Sequence, residues 1–194
     1  MTTISRYIIL SLSSSLLCLI ILTACGHATT DRQVWDESNN TLTINDYKIQ
    51  IHLPQEGEWV IADPDSLPSG MIYCAVDRKK DLLFAAVDPE TVSLHSFTPN
   101  DLKTIISDLT RQDSTLNVTY GDITLNKIQA WQSVNAISFR RTIHIAVPDE
   151  TENITVTYDG VIAICEDKPL IFFITHSGEA KCYLNTIIDN VTWI

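Results

Sequence analysis

The chain lacks an apolar run long enough to cross a bilayer. Its longest apolar stretch, residues 7–21, is interrupted by four serines, whereas a transmembrane helix needs ~20 predominantly apolar residues. Positive charge is also scarce, with 13 Lys and Arg against 24 Asp and Glu and a formal net charge of −11. Because no basic stripe with interleaved aromatic residues is present, we expect no nucleic-acid partner and no electrostatic adhesion to anionic lipid.

Motifs of the common catalytic and metal-binding classes are missing too. The sequence has no GxSxG elbow, HExxH pair, P-loop, GxGxxG turn or EF-hand loop, so we expect no cofactor and no metal. His176 and Ser177 are adjacent, but neighbours on an extended chain point to opposite sides and do not form a catalytic pair. We interpret Ser177 as a helix cap and predict a non-enzymatic protein.

The N-terminus carries the most specific signal. Residues 1–24 have one positive side chain, a short apolar middle and small residues at the end, which is typical of a secretory signal peptide. The stretch Leu22-Thr23-Ala24-Cys25 resembles the lipobox of bacterial lipoproteins. This resemblance implies that Cys25 carries diacylglycerol and becomes the first mature residue, and two or three acyl chains suffice for stable anchoring. The alternative interpretation is an uncleaved single-span anchor with an incidental cysteine.

The predicted cleavage also bears on the domain organisation and on the cellular location. It leaves 170 of the 194 residues, enough for one domain with its own core. Residues 25–40 are predicted to be a lipidated N-terminus and flexible tether, and residues 41–194 a single domain. In enteric-type bacteria an Asp directly after the lipidated cysteine retains a lipoprotein at the inner membrane, and this chain has Gly26 at that position. We therefore expect the outer membrane, facing the periplasm, if the host has two membranes.

Cysteine usage agrees with this organisation. One of the five cysteines leaves with the signal peptide and Cys25 is lipidated, which leaves Cys74, Cys165 and Cys182. Three thiols cannot all pair within one chain, and their spacing matches no zinc or CxxC redox motif. Cys74 and Cys165 lie in apolar strand runs and are predicted to be buried thiols.

Periodicity predicts a largely antiparallel sheet covered by helices, an α+β fold. Most runs from residue 41 onward have strand character and short connections, so sequence neighbours are expected to pair antiparallel. The runs "VIAIC" and "LIFFI" are apolar at consecutive positions and predict strands buried on both faces. Helices are predicted near 99–111, where Thr98 is a good N-cap and Pro99 suits the first turn, and near 178–191.

This element order resembles the PsbP/Mog-type α/β sandwich, a family that includes photosystem extrinsic proteins and small bacterial envelope lipoproteins. The matching stretches are "YKIQIHLPQEGEW", "SFTPNDLKTIISDL" after "LLFAAVD", and the ending "LIFFITHSGEAKCYLNTIIDNVTWI". The resemblance covers roughly residues 42–194 and implies the fold. The chain departs from the family at "LNKIQA", where many members have a tight Gly turn.

A few side chains are candidates for ligand or partner contact. Trp131 and Arg141 are the main ones; Arg140 and Arg141 are expected on opposite sides of the sheet, and Lys127 is a possible member of a small basic spot. Acidic pairs such as Asp63 and Asp65, and the loop at 148–153, lack the alternating ligands of a calcium site.

Three functions are compatible with these observations. The first is a lipid-anchored accessory or assembly domain that contacts an envelope protein. The second is a small-ligand or ion-binding periplasmic lipoprotein with a pocket between sheet and helix layer. The third is an unrecognised envelope hydrolase, which would require His144 or His176 to meet Ser and Asp from distant strands.

Overall fold

The computed structural model describes residues 32–89, 98–112, 116–146, 153–165, 168–177 and 181–194. The signal peptide, Cys25 and most of the acidic loop at 148–153 lie outside these ranges. The described residues form two α-helices, α1 (Pro99–Leu109) and α2 (Leu184–Asn190), and a set of strands. The strands are β1 (Gln33–Asp36), β2 (Thr41–Ile44), β3 (Ile49–His52), β4 (Trp59–Ile61), β5 (Met71–Asp77), β6 (Leu82–Val87), β7 (Asn117–Tyr120), β8 (Thr124–Trp131), β9 (Val134–Ala146), β10 (Ile154–Cys165), β11 (Lys168–Ser177) and β12 (Val191–Trp193).

The strands build two antiparallel sheets. The large sheet has eight strands in the order β4-β5-β6-β11-β10-β9-β7, with β8 also paired to β9. The small sheet has four strands in the order β1-β2-β3-β12. The predicted, largely antiparallel sheet is confirmed and an α+β fold is compatible with it, but the small sheet, and not helices alone, covers one face of the large sheet. Strands β7 and β8 pair side by side along β9 and not with each other.

The centre of the large sheet is β10 and β11, which are buried on both faces. Val161 lies opposite Phe172 and Ile162 opposite Ile171, and all four side chains are at most 1% exposed. Consecutive apolar residues favour such strands because each face needs its own apolar set. The prediction from "VIAIC" and "LIFFI" is confirmed.

Helix α1 covers one face of this sheet and begins where the sequence predicts. The Thr98 hydroxyl accepts from the Asp101 N–H at 3.3 Å, and the Asp101 carboxylate accepts from the Thr98 N–H at 3.0 Å. This reciprocal capping box satisfies helix donors that would otherwise lack partners. The helix buries Leu102 and Ile106 against the sheet and ends at Leu109, two residues before the predicted boundary.

The helix predicted at 178–191 is confirmed only for Leu184–Asn190; residues 181–183 are not helical, and residues 178–180 lie outside the described ranges. Ser177 is the last residue of β11 and does not cap a helix, because α2 begins only at Leu184 with Tyr183 in the N-cap position. At the other end, Val191–Trp193 pair with β3 as β12. Strand formers such as Val and Trp take the extended state when a partner edge is present.

Part of the predicted tether also has structure. Gln33–Asp36, inside the segment predicted to be flexible, pairs with β2 as the edge strand β1. Trp35 packs against the core between the two sheets, and this burial favours the strand over a free tether. The domain therefore includes Gln33, and residues 25–31 lie outside the described ranges.

The result is a layered arrangement with two apolar cores. One core lies between the large sheet and the small sheet with α2, and the other lies between the opposite face of the large sheet and α1. Neither helix of the described ranges is long and apolar enough to span a membrane.

Candidate functional site

Adjacent arginines mark the two faces of the large sheet. Arg140 lies on the face toward α2 and hydrogen-bonds Asp159 and the Lys181 carbonyl. Arg141 lies on the face toward α1 and hydrogen-bonds Thr110. The predicted opposite orientation is confirmed, and it follows from the period of two in strand side chains.

On the α2 face, Arg140, Asp159 and His176 form a buried ion cluster. Asp159 is 2% exposed and accepts from Arg140 Nε at 2.7 Å and Nη2 at 3.1 Å. The Nε2 atom of His176 lies 3.2 Å from the second carboxylate oxygen, and the ring is 5% exposed. Arg140 is directly opposite Asp159 on β9, and His176 is its diagonal neighbour on β11.

Burial and hydrogen bonding shift the pKa of the Asp159 carboxyl in opposite directions. Burial alone acts to raise its pKa, but hydrogen bonds from His176, from Arg140 and from the Tyr183 N–H outweigh that effect, so its pKa lies below the ordinary value. The carboxylate in turn raises the pKa of Arg140 through their hydrogen bond. The cluster is therefore an ionised Asp held by fixed donors.

This cluster holds the connection between β11 and α2. Asp159 accepts from the Tyr183 N–H at 3.2 Å, and Arg140 Nη2 donates to the Lys181 carbonyl at 2.8 Å. The Tyr183 and His176 rings lie 4.7 Å apart between centroids. These contacts fix 181–183 in a non-helical conformation, which explains why α2 begins at Leu184.

The same geometry bears on the hydrolase hypothesis. His176 does meet an Asp from the neighbouring strand, as that hypothesis requires. Ser177, however, is on the opposite side of β11, and the cluster is too buried for a substrate to reach it. His144 contacts only a hydroxyl, with Nδ1 3.0 Å from Thr155 Oγ1. The described contacts therefore bring together no nucleophile, base and carboxylate.

Trp131, predicted as a ligand contact, is instead a core residue. It is 2% exposed, and its Nε1 donates to the Ile188 carbonyl at 3.0 Å. Its ring lies edge-on to Phe172 and Trp193 at centroid distances of 5.6 and 6.0 Å. The neighbouring Gln132 side chain bonds both the Val191 carbonyl and the Trp193 N–H, so it completes the free edge of β12.

Arg141, the other predicted contact residue, links parts of the α1 face. Its guanidinium donates to Thr110 Oγ1 at 2.6 Å and to the Gly121 carbonyl at 3.2 Å. It also lies 4.7 Å from the centroid of the Tyr120 ring, a cation–π contact. These bonds tie the end of α1 to the turn before β8 and leave Arg141 in a structural role.

The α1 face also contains an open cavity that sequence reasoning missed. We call it the lysine groove: a space of about 580 Å³ between the first turn of α1 and strands β8 and β9. Most of its lining is aliphatic, and its two charged residues are Lys103 and Lys127. The lining residues are Pro99, Leu102, Lys103, Ile123, Leu125, Asn126, Lys127, Asn135, Ala136, Ile137 and Ile164.

A second cavity on the other side of α1 has the opposite charge. It has a volume of about 330 Å³ and is lined by Asp101 and Asp108 together with apolar residues such as Leu109 and Ile171. Asp101 is committed to the capping box, and Asp108 pairs with Arg111 at 2.6 Å. Its carboxylates therefore already have partners, in contrast to the lysines of the lysine groove.

The thiols and acidic residues indicate no further site in the described ranges. Cys74 is a free buried thiol whose pKa burial raises to about 12, and Cys182 is free and exposed; the side chain of Cys165 lies outside the description. Asp63 accepts from the Asp65 N–H at 3.0 Å, a local turn contact. Within the described residues, no group of three or more His, Cys, Asp or Glu is placed to hold a metal.

Two groups escaped sequence reasoning for different reasons. Asp159 is a lone acid between Tyr158 and Gly160 in an otherwise uncharged strand, and that isolation is a signal of a buried, partnered charge. Lys127 is the one charged residue of β8, but nothing local shows that Lys103 lines the same space. Comparison with known proteins adds no assignment, since no family model and no curated protein matches the chain.

Proposed function

We propose that the protein is a lipid-anchored lipoprotein of the cell envelope, held at the membrane through Cys25 and working by binding and not by catalysis. The lipobox-like Leu22-Thr23-Ala24-Cys25 supports the anchoring, and Gly26 supports an outer-membrane address in a two-membrane host. The layered, β-rich architecture is compatible with a PsbP/Mog-like domain, which is the finer fold that we propose.

The observation that carries the binding function is the lysine groove. Surface cavities that combine an apolar floor with a few polar groups are typical of binding sites. By contrast, the side chains that resemble catalytic ones, Asp159 and His176, are used to hold the chain that leads into α2. The chemistry available to a partner is therefore on the α1 face.

Two kinds of partner fit this proposal. A protein partner would make the domain an accessory or assembly factor of the envelope, as the sequence suggests. A small ligand is the second candidate, and it is favoured by the volume of the groove, which lies within the ~300–1,000 Å³ usual for small-molecule sites.

The anchoring is tested by Cys25→Ala in the full chain, expressed in bacteria fed a labelled fatty acid. We expect the label to disappear from the protein and the protein to leave the membrane fraction, because the acylated thiol is gone. Cys18→Ala, within the same N-terminal region, is the matched control and should keep the label. Continued acylation of the Cys25→Ala protein would contradict the proposal.

A further inference from the structure

We propose that the lysine groove binds an anionic amphiphile, an acyl chain that carries a carboxylate or phosphate head group. The inference rests on the proposed binding function and names its ligand class. It is carried by the juxtaposition of an aliphatic floor with Lys103 of α1 and Lys127 of β8.

The floor of the groove is suited to an alkyl chain. Ile123, Leu125, Ile137 and Ile164 all line it and are only partly buried, while Leu102 closes it from the helix side. Its described lining residues include no aromatic ring and no acidic side chain. Such a surface offers dispersion contacts and water release but few directional bonds, as a flexible hydrocarbon requires.

The two lysines give the site its charge preference. Lys103 is on the first turn of α1 and Lys127 is on β8, so they reach the groove from separate elements. Both are exposed, and neither forms an ion pair with a described residue. By contrast, three arginines of the described ranges are each paired with an acid, in Arg32–Asp46, Arg111–Asp108 and Arg140–Asp159.

This contrast matters because the chain has nearly twice as many acidic as basic residues. Two cations beside an apolar space, with no carboxylate among its described lining residues, attract an anion and disfavour a cation. Asn126 and Asn135 also line the groove and add amide groups that can bond an oxygen-rich head. The ligand that satisfies both parts is apolar over most of its length and negative at one end.

The experiment uses the purified full-length protein in nanodiscs of zwitterionic lipid. The probes are a diazirine-bearing long-chain fatty acid, the matching fatty alcohol, and a diazirine-bearing phosphatidylglycerol. After irradiation, labelled peptides are mapped by mass spectrometry. We expect the anionic probes to label residues 123–127 and 135–137, and the neutral alcohol to label them several-fold less.

The variants test the charge preference directly. Lys103→Gln together with Lys127→Gln should reduce groove labelling by the anionic probes about three- to tenfold, since each exposed ion pair contributes modestly. Lys48→Gln together with Lys79→Gln removes the same charge from exposed sites outside the groove and should change nothing. Because all four side chains are on the surface, thermal unfolding should show every variant folded.

The possible outcomes separate the ligand class from the proposed function. Labelling by the fatty acid, by the phosphatidylglycerol or by both supports the inference and identifies the source of the acyl chain. Equal labelling by the acid and the alcohol, labelling outside the groove, or no effect of the lysine pair overturns it. If no amphiphile labels the groove but an acidic polypeptide added to the same sample crosslinks to it, the ligand class is wrong, although the binding function stands.

Discussion

The two faces of the large sheet are covered in different ways. On one face the small sheet and α2 close over the core, and the carboxylate of Asp159 is buried among three donors. On the other face a single helix of eleven residues, α1, leaves an open cavity on each side. The face that the small sheet and α2 cover continuously uses its polar groups for stability. The face that α1 covers only in part leaves side chains available to a ligand.

The largest effect should come from the closed face, through Asp159→Ala. This change leaves the Arg140 guanidinium, the His176 ring and the Tyr183 N–H without their shared acceptor. We expect the free energy of unfolding to fall by about 3 kcal/mol. This value is toward the lower end of the range for breaking a buried ion pair, because Arg140 is one-third exposed. Urea unfolding of the full chain measures it.

Asp122→Ala, which removes an exposed carboxylate from a turn, is the control and should change stability little. A loss no greater than that of the control would mean that the Asp159 cluster does not hold the closed face.

Lowering the pH should remove part of the stabilisation that Asp159 provides. The pKa of Asp159 is lower in the folded protein than its ordinary value of 3.8, so its contribution is present above that pH and is lost as the pH falls through the folded pKa. The difference in unfolding free energy between the native chain and Asp159→Asn should be constant from about pH 7 to pH 5 and shrink below it. Urea titrations at each pH test this, and a difference that grows in acid would contradict the assignment.

A smaller effect is expected on the open face, from Arg141→Ala. The variant loses bonds to the buried Thr110 and to the Gly121 carbonyl, together with the contact with the exposed Tyr120 ring. We expect a loss of about 1–2 kcal/mol in unfolding free energy, smaller than for Asp159→Ala.

Arg111→Ala breaks only an exposed ion pair and should change unfolding little. If Arg141→Ala instead costs more than Asp159→Ala, the contrast between the faces is wrong.

Local signals predict the parts of the fold that depend on local bonds. The start of α1 is readable because Thr98, Pro99 and Asp101 supply a cap within four residues. The burial of β10 and β11 on both faces can be predicted from the sequence, because consecutive apolar residues have few other stable environments. In the same way, the opposite orientation of Arg140 and Arg141 follows from strand geometry alone.

The errors arise where distant partners decide the structure. Residues 184, 187 and 188 do lie on a helical apolar stripe, but Val191 leaves it because β3 offers a free edge. Ser177 is a good cap by type, yet β11 continues through it. Of the candidate contact residues, Trp131 lies in the core and Arg141 bonds Thr110 and Gly121, and no local pattern shows that Lys103 and Lys127 line one groove.

The most direct test of the account compares the two faces in the living cell. A photoreactive amino acid is placed at Asn135, an exposed residue that lines the lysine groove, or at Gln50, which faces outward from the small sheet between the buried Ile49 and Ile51. After irradiation the full-length protein is examined by intact mass. We predict an adduct with the mass of an anionic acyl lipid at position 135 and none at position 50. An adduct at position 50 with none at 135 would contradict the claim that binding belongs to the α1 face.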